Sequence, residues 1–202
     1  MKILITGFQR SGTTLLRNLF SLHPEIKHVF HEQCILQHFK SIDQMKKIKE
    51  LPDYKTLNQR NRRGKYRTPT KVNINFNLVT DSWGEKIPYY GLVFRKGYNG
   101  PMKDYCKLWN DFFYPDCKII HIIRHPLDVG LSTRKRGYSR GVTKPIRQYK
   151  KAVPAVLKMF ENFPNVITIK YEDLVSDPKE SLKFLFEECN LSNSEKVIDN
   201  IM

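Results

Sequence analysis

Two stretches of this 202-residue chain have residue types and spacing suited to holding anions. The first is Gly7-Phe8-Gln9-Arg10-Ser11-Gly12-Thr13-Thr14, with glycines five positions apart between an apolar β-rich run and a segment of helical character. That is the glycine spacing of a Walker A loop, in which backbone N–H groups curl around phosphate oxygens and the helix start adds roughly half a positive charge. The lysine of that motif is missing: Thr13 stands in its place and the nearest cation is Arg10, inside the loop. A nucleotide triphosphatase needs its lysine on the β and γ phosphates and a Ser/Thr on Mg²⁺. Arg10, with hydroxyls at Ser11, Thr13 and Thr14, would still hold a phosphate and aim a guanidinium at a group leaving it. The bland alternative is a turn with glycines for geometry and Arg10 in solvent.

The second stretch, Ile122-Ile123-Arg124-His125-Pro126-Leu127-Asp128-Val129-Gly130-Leu131-Ser132, has an arginine at a predicted strand end and a serine eight residues on. A helix starting near Pro126 would carry Ser132 on its second turn. There it shares one anion with Arg124 if the strand end bends over that face. Alone the pattern is weak, since an arginine, a proline and a later serine often fall together by chance. Its weight comes from following the first loop by about 110 residues.

Both stretches need strands and helices to position them. Lys2 to Thr6 reads as a strand stopping at Gly7, and Thr14 to Leu22 as a helix ending at His23-Pro24. Lys118 to Ile123 repeats the pattern, with Pro126 where a first helical turn accepts it. Asn165 to Lys170 is a third strand, followed by Tyr171-Glu172-Asp173 and a helix over Pro178 to Cys189 capped by Ser176 or Asp177. A short strand is expected at Lys27 to Phe30, and helices at Ile35 to Leu51, Met102 to Phe113 and Ile146 to Phe163, the last kinked or split at Pro154. Asp53 to Lys71 and Gly137 to Pro145 read as irregular, the second as a mobile loop. Strands alternating with helices predict an α/β fold of the P-loop type: three layers, with a central parallel sheet covered by helices. No internal repeat or long low-complexity tract is visible, so residues 1–202 are expected to form one domain.

Composition narrows the partners. Thirty-five Lys and Arg against 20 Asp and Glu leave a formal net charge of +15, which favours polyanions: nucleic acid, an anionic membrane, a phosphorylated nucleotide or a sulfated polymer. Apolar runs are only a few residues long, so no membrane span is expected, and Gly7, Gln9 and Arg10 interrupt any signal-peptide core. Cys34, Cys106, Cys117 and Cys189 are far apart with no zinc spacing. Four free thiols in a cytoplasmic, reducing compartment are the expectation.

Arg10-Ser11-Gly12-Thr13-Thr14-Leu15-Leu16 after an apolar strand, then His23-Pro24 and an acidic residue, resembles the sulfotransferases, most closely their tyrosylprotein and carbohydrate branch. In that family the loop binds the 5′-phosphosulfate end of 3′-phosphoadenylyl sulfate (PAPS), which the resemblance assigns to Arg10, Ser11, Gly12, Thr13 and Thr14. Arg124 and Ser132 then correspond to the site of the 3′-phosphate, and Arg136 to a further arginine of the tyrosylprotein branch. Trp83-Gly84-Glu85-Lys86-Ile87-Pro88 resembles the Lys-x-Pro segment whose lysine reaches the sulfuryl group. Tyr171-Glu172-Asp173-Leu174 resembles the Tyr-Glu-x-Leu segment whose tyrosine lies near the adenine. The matched blocks run from Lys2 to Leu191. Departures are the absence of the Gly-x-x-Gly-x-x-Lys element of cytosolic members and the longer continuation of larger members past the Tyr-Glu segment. Phe94-Arg95-Lys96-Gly97 imitates part of that element but precedes the 3′-phosphate motif, and takes no role.

Moving a neutral SO₃ unit in line to an acceptor oxygen or nitrogen requires a base, cations and alignment. The group carries less negative charge than a phosphoryl group, so arginine and lysine can replace a Mg²⁺ clamp, and no metal is expected. His28, His31 and Glu32 are the nearby bases. The tyrosylprotein branch uses a Glu just after a second strand, so Glu32 is the match, one residue further along and preceded by His31. Neighbouring strand residues face opposite ways, and only one of the pair should enter the cleft. Lys86 and Arg10 would flank Glu32 and stabilise the transferring group, and Ser132 would touch both the 3′-phosphate and Lys86.

Lys55 to Lys71 holds seven Lys/Arg and Arg134 to Lys151 eight, with no Asp or Glu in either. Besides serving PAPS, the second segment suits an acidic acceptor, such as a peptide with Asp or Glu around a tyrosine, or an anionic glycan. Two other functions remain open at this level. A P-loop nucleotide or small-molecule kinase conflicts with Thr13. A basic nucleic-acid-binding protein explains the charge but leaves both anion motifs as accidents. The expected activity is therefore transfer from PAPS to a hydroxyl or amine, releasing adenosine 3′,5′-bisphosphate (PAP).

Overall fold

Near-continuous apolar runs such as Ile3-Leu4-Ile5 and Ile119-Ile120 suit strands buried on both faces, and that is where they lie. The computed structural model describes residues 1–32, 82–89 and 102–202, the side chains of Met102, Lys103, Asp104 and Leu108 excepted. The expected helix at Ile35 to Leu51, the basic segment Asp53 to Lys71, Phe94 to Gly97 and Cys34 lie outside the described residues. In chain order the elements are β1 (Lys2–Phe8), α1 (Thr13–Ser21), β2 (Val29–His31), β3 (Trp83–Tyr89), α2 (Met102–Phe113), β4 (Cys117–Ile123), α3 (Pro126–Lys135), α4 (Thr143–Phe160), β5 (Val166–Lys170), α5 (Tyr171–Ser176), α6 (Pro178–Glu188) and α7 (Glu195–Ile201).

The five strands form one parallel sheet in the order β2-β3-β1-β4-β5. Alternation along each strand sends side chains to two separate cores. Leu4, Phe8, Trp83, Ile87, Tyr89 and Ile119 meet α2, α3 and α4 on one face. Ile3, Ile5, Val29, Ile120, Ile122 and Ile169 meet α1, α5, α6 and α7 on the other. Each fully buried aliphatic or aromatic side chain contributes ~1.5–3 kcal/mol. Phe8 adds edge contacts to Tyr89 and Tyr149, with ring centroids 5.8 and 5.2 Å away. The three-layer α/β architecture expected from the sequence is thus present.

Several local expectations change. Pro154 neither splits nor ends α4, which runs through it. The carbonyl that loses its helical partner is that of Lys150, an exposed residue, while Ala152, Val153, Val156 and Phe160 bury against the sheet. The irregular stretch expected over Gly137 to Pro145 ends at Val142, because α4 already begins at Thr143. Gly137, at φ 70, ends α3 with Gly137 N–H donating to Arg134 O and Tyr138 N–H to Thr133 O. Asp177 rather than Ser176 caps α6, its side chain accepting from Glu180 N–H. Tyr171 opens the short helix α5, which the sequence pattern does not predict. Cys106, Cys117 and Cys189 are buried free thiols. Among the described residues no helix is long and apolar enough to cross a membrane.

Candidate active site

Parallel sheets collect functional groups beyond the carboxyl ends of their strands, and the candidate residues gather there. Arg10 follows β1, Glu32 follows β2, Arg124 follows β4 and Tyr171 follows β5, while Lys86 sits within β3. β1 lies in the middle of the sheet, so its following loop, Gln9 to Gly12, is flanked by the ends of β3 and β4. Gly7 is still part of β1, paired with Ile122, and a Cβ there would stand 2.4 Å from the Ile122 carbonyl oxygen.

The loop itself takes an unusual backbone path. Arg10 has φ 70 and Gly12 φ 103, and α1 starts at Thr13 with its first amides directed at the loop. Ser11 and Thr13 are buried and Thr14 is exposed, so the three hydroxyls are not equivalent. Ser11 Oγ is buried without a hydrogen-bond partner. From the loop, Arg10 Nε donates to Ser132 Oγ at 3.0 Å, joining residues 122 positions apart. Ser132 lies on the second turn of α3, whose first residue is Pro126. Arg124 Nη1 donates to the Arg10 carbonyl oxygen at 3.4 Å, and Arg124 Nε is buried without a partner. The two anion motifs are therefore one cluster. Arg136, at the C-terminal cap of α3, is exposed.

The other half of the site is an ion pair. Lys86, 2% exposed, donates from Nζ to Glu32 Oε1 at 2.6 Å. Lys86 is paired in register with His31 of β2 and Ile5 of β1, and Glu32 N–H donates to the Lys86 carbonyl oxygen at 2.9 Å. Glu32 stands just past the end of β2 with φ 56, a left-handed conformation that costs a non-glycine residue ~1 kcal/mol or more. The strand alternation expected to separate His31 from Glu32 does not apply, because β2 ends at His31. The left-handed turn aims the carboxylate instead. His31 is half exposed with its Nε2 3.9 Å from Glu32 Oε1. Burial first, and then the Lys86 cation, hold the His31 imidazole below its ordinary value against the opposing pull of Glu32.

One contact agrees with expectation and one differs: Glu32 is expected between Arg10 and Lys86, and Ser132 on Lys86; the hydrogen bonds put Lys86 on Glu32 as expected and Ser132 on Arg10 instead. Lys86 is drawn to the carboxylate because an ammonium this buried is costly without a counter-ion.

Tyr171 packs against both halves of the anion cluster. The Arg124 guanidinium carbon lies 4.0 Å from the Tyr171 ring centroid, and a Cβ on Gly12 would stand 2.5 Å from Tyr171 Cδ2. Sequence reasoning misses three supporting contacts or gives them no role. Tyr149 accepts from Arg124 N–H through its hydroxyl at 3.1 Å, Glu172 Oε1 accepts from His125 N–H at 2.8 Å, and Tyr89 pairs with buried His121 at 2.8 Å. Glu172 belongs to the Tyr-Glu segment, which is its signal in the sequence; nothing in the sequence marks Tyr149.

Comparisons with known proteins bear on the family and the fold. Residues 1–137 match the family model described as the sulfotransferase domain, and residues 110–195 a second described as the sulfotransferase family. No curated protein matches in sequence. Among solved structures, the chain is similar to the sulfotransferase domain from the curacin biosynthetic pathway, at a TM-score of 0.62 and 17% identity, covering 99% of this chain and 77% of that one. It is also similar to the sulfotransferase domain of the Synechococcus PCC 7002 olefin synthase, at a TM-score of 0.63 and 16% identity, covering 98% and 76%. A mouse sulfotransferase complexed with PAP gives a TM-score of 0.55 at 17% identity, covering 99% of this chain and 62% of that one.

Proposed function

The chain belongs to the sulfotransferase family, and from that premise we propose that it transfers a sulfuryl group from PAPS to a hydroxyl or amine acceptor, as one domain over residues 1–202. The observation that carries this reading is the meeting of the two anion motifs, Arg10 on Ser132 and Arg124 on the Arg10 carbonyl, beside the Lys86–Glu32 pair. A nucleotide bearing phosphates at both 5′ and 3′ positions suits a cluster with two guanidinium groups. The partnerless buried atoms Ser11 Oγ and Arg124 Nε are the kind of groups such a ligand satisfies. Binding of PAP by the mouse relative points the same way.

Bound PAPS supplies an activated sulfuryl group on its 5′-phosphate. Arg10, Ser11, Gly12, Thr13 and Thr14 would hold that end, and Arg124, Ser132 and Arg136 the 3′-phosphate. Lys86 and Arg10 place positive charge where negative charge develops during transfer, the task a metal performs in phosphoryl transfer. Glu32 would take the acceptor's proton as its oxygen or nitrogen bonds to sulfur and the bond from sulfur to the 5′-phosphate oxygen breaks, releasing PAP; the tyrosylprotein branch suggests this assignment. His31 lies half exposed beside it. The exposed cations between Arg134 and Lys151 suit an acidic peptide or an anionic glycan as acceptor.

Ligand-induced thermal shifts and turnover test the reading. PAP at 100 times its Kd is expected to add ~2.7 kcal/mol of stability, with AMP and ATP far behind at equal concentration. Arg124→Ala should erase the difference between PAP and AMP. Turnover with PAPS should survive EDTA, and strict Mg²⁺ dependence with ATP as donor would establish a kinase instead.

A further inference from the structure

In the proposed function Arg124 is the residue that recognises the second phosphate, and its long side chain has much rotamer entropy to lose when it is fixed. Its backbone is anchored by the N–H bond to the Tyr149 hydroxyl, while its guanidinium rests on the Tyr171 ring at 4.0 Å and reaches the Arg10 carbonyl through Nη1. Tyr171 is in turn fixed from the other side, its ring edge so close to Gly12 that only a glycine fits there. The following residue, Glu172, accepts from His125 N–H, so the chain ends of β4 and β5 are fastened to each other at the same point. One aromatic ring thus touches the loop of the first anion motif and the arginine of the second.

We propose that Tyr171 is a positioning residue that orients the Arg124 guanidinium and so sets the preference for nucleotides with a 3′-phosphate, rather than serving as a platform for the adenine. The proposal rests on the sulfotransferase reading above. It departs from what the resemblance implies for this tyrosine, because the guanidinium covers one ring face and Gly12 meets the edge. A flat cation stacked on an aromatic face keeps its outward N–H groups available, so the stack orients Arg124 without consuming its donors.

The test is binding of PAP and AMP to the full chain by calorimetry, for wild type, Tyr171→Phe, Tyr171→Leu and Arg124→Lys. Tyr171→Leu is expected to weaken PAP about tenfold, in the range of a partly buried cation–π contact, and to change AMP less than twofold. Tyr171→Phe keeps the ring and should keep the wild-type ratio. Arg124→Lys keeps the charge but loses the planar stack. Adding Tyr171→Leu to it should then cost little more, the non-additivity expected of a coupled pair. Equal weakening of PAP and AMP by Tyr171→Leu would make the ring an adenine contact and overturn the proposal. If Tyr171→Leu does not fold, loss of the PAP preference in Tyr171→Phe overturns it just as well, and retention beside a damaged Arg124→Lys supports it. Failure of the wild type to prefer PAP over AMP would instead remove the sulfotransferase reading and the inference with it.

Discussion

Lys86 Nζ and Glu32 Oε1 stand 2.6 Å apart, the lysine fully enclosed and the carboxylate about a quarter exposed. Under the proposed function, the pair couples the cation assigned to the transferring group to the carboxylate assigned to the acceptor's proton. Glu32→Gln retains the shape and an oxygen for Lys86 but cannot take a proton. It is expected to preserve the PAP thermal shift and lower kcat by at least ~10². His31→Ala, which removes a half-exposed ring 3.9 Å from Glu32, should change kcat far less. A dead His31→Ala beside an active Glu32→Gln would transfer the base role to the histidine.

The same pair predicts unequal effects on stability. Glu32→Ala leaves an ammonium buried without a counter-ion, at a cost of ~3–5 kcal/mol, or roughly 6–20 °C in Tm for a chain of this size. Lys86→Met exchanges the buried ammonium for an apolar chain of similar length and frees a carboxylate that can turn toward water, so its Tm should move only a few degrees. Its sulfuryl transfer, in contrast, should fall by ~10² or more. Differential scanning calorimetry of the two variants decides the matter, and a Lys86→Met protein less stable than Glu32→Ala would contradict this account.

Much of this arrangement is legible in the amino-acid sequence. Strand, loop and helix order, the loop at Arg10 to Thr14 and the Arg124 to Ser132 spacing depend on periodicity and local geometry, which the chain writes in adjacent residues. The Pro126 helix start shows how local the signal is. What the sequence hides depends on contacts between distant residues. The Lys86–Glu32 neighbourhood is anticipated, but Ser132 takes Arg10 rather than Lys86, because the sheet register sets which end groups meet. The left-handed backbone at Arg10 and Glu32 has no sequence signature, since neither is glycine or asparagine. Pro154 shows a related limit: local propensity argues for a kink or a split, and α4 is not split, because burial of the opposite helix face outweighs the lost hydrogen bond.

Acid sensitivity should have an identifiable source in His121. It is fully buried on β4 against Tyr89 and Phe160, and burial pushes its imidazole down to about 3. The folded chain therefore stays unprotonated there while the unfolded chain binds a proton below its ordinary value of ~6.5. Stability from this residue is complete above that value and is lost as pH falls toward 3, at ~1.4 kcal/mol per pH unit. His28 and His31 shift the same way and add to the trend. His121→Gln keeps a polar partner for Tyr89 but does not titrate. Urea unfolding between pH 6.5 and 5 should show its slope reduced by about one proton's worth, and an unchanged slope would exclude His121 as the source.

Gly12 joins backbone conformation to function in a single position. At φ 103 an L side chain is strained by ~1–2 kcal/mol, and its Cβ would meet Tyr171 Cδ2 at 2.5 Å and Ile122 Cδ1 at 3.2 Å. Ile122 belongs to the buried face of β4 and cannot retreat, whereas the Tyr171 ring can, by leaving the Arg124 guanidinium. Gly12→Ala is therefore expected to lower Tm by roughly 3–10 °C and to weaken PAP at least tenfold more than AMP, since the disturbance passes through Arg124. Gly141→Ala is the matched control, because nothing lies within 4 Å of a Cβ there. It should leave both Tm and nucleotide affinity unchanged. If Gly12→Ala loses PAP and AMP alike, the glycine serves only the 5′-phosphate loop. If it loses stability alone, the contact with Tyr171 is packing with no part in nucleotide recognition.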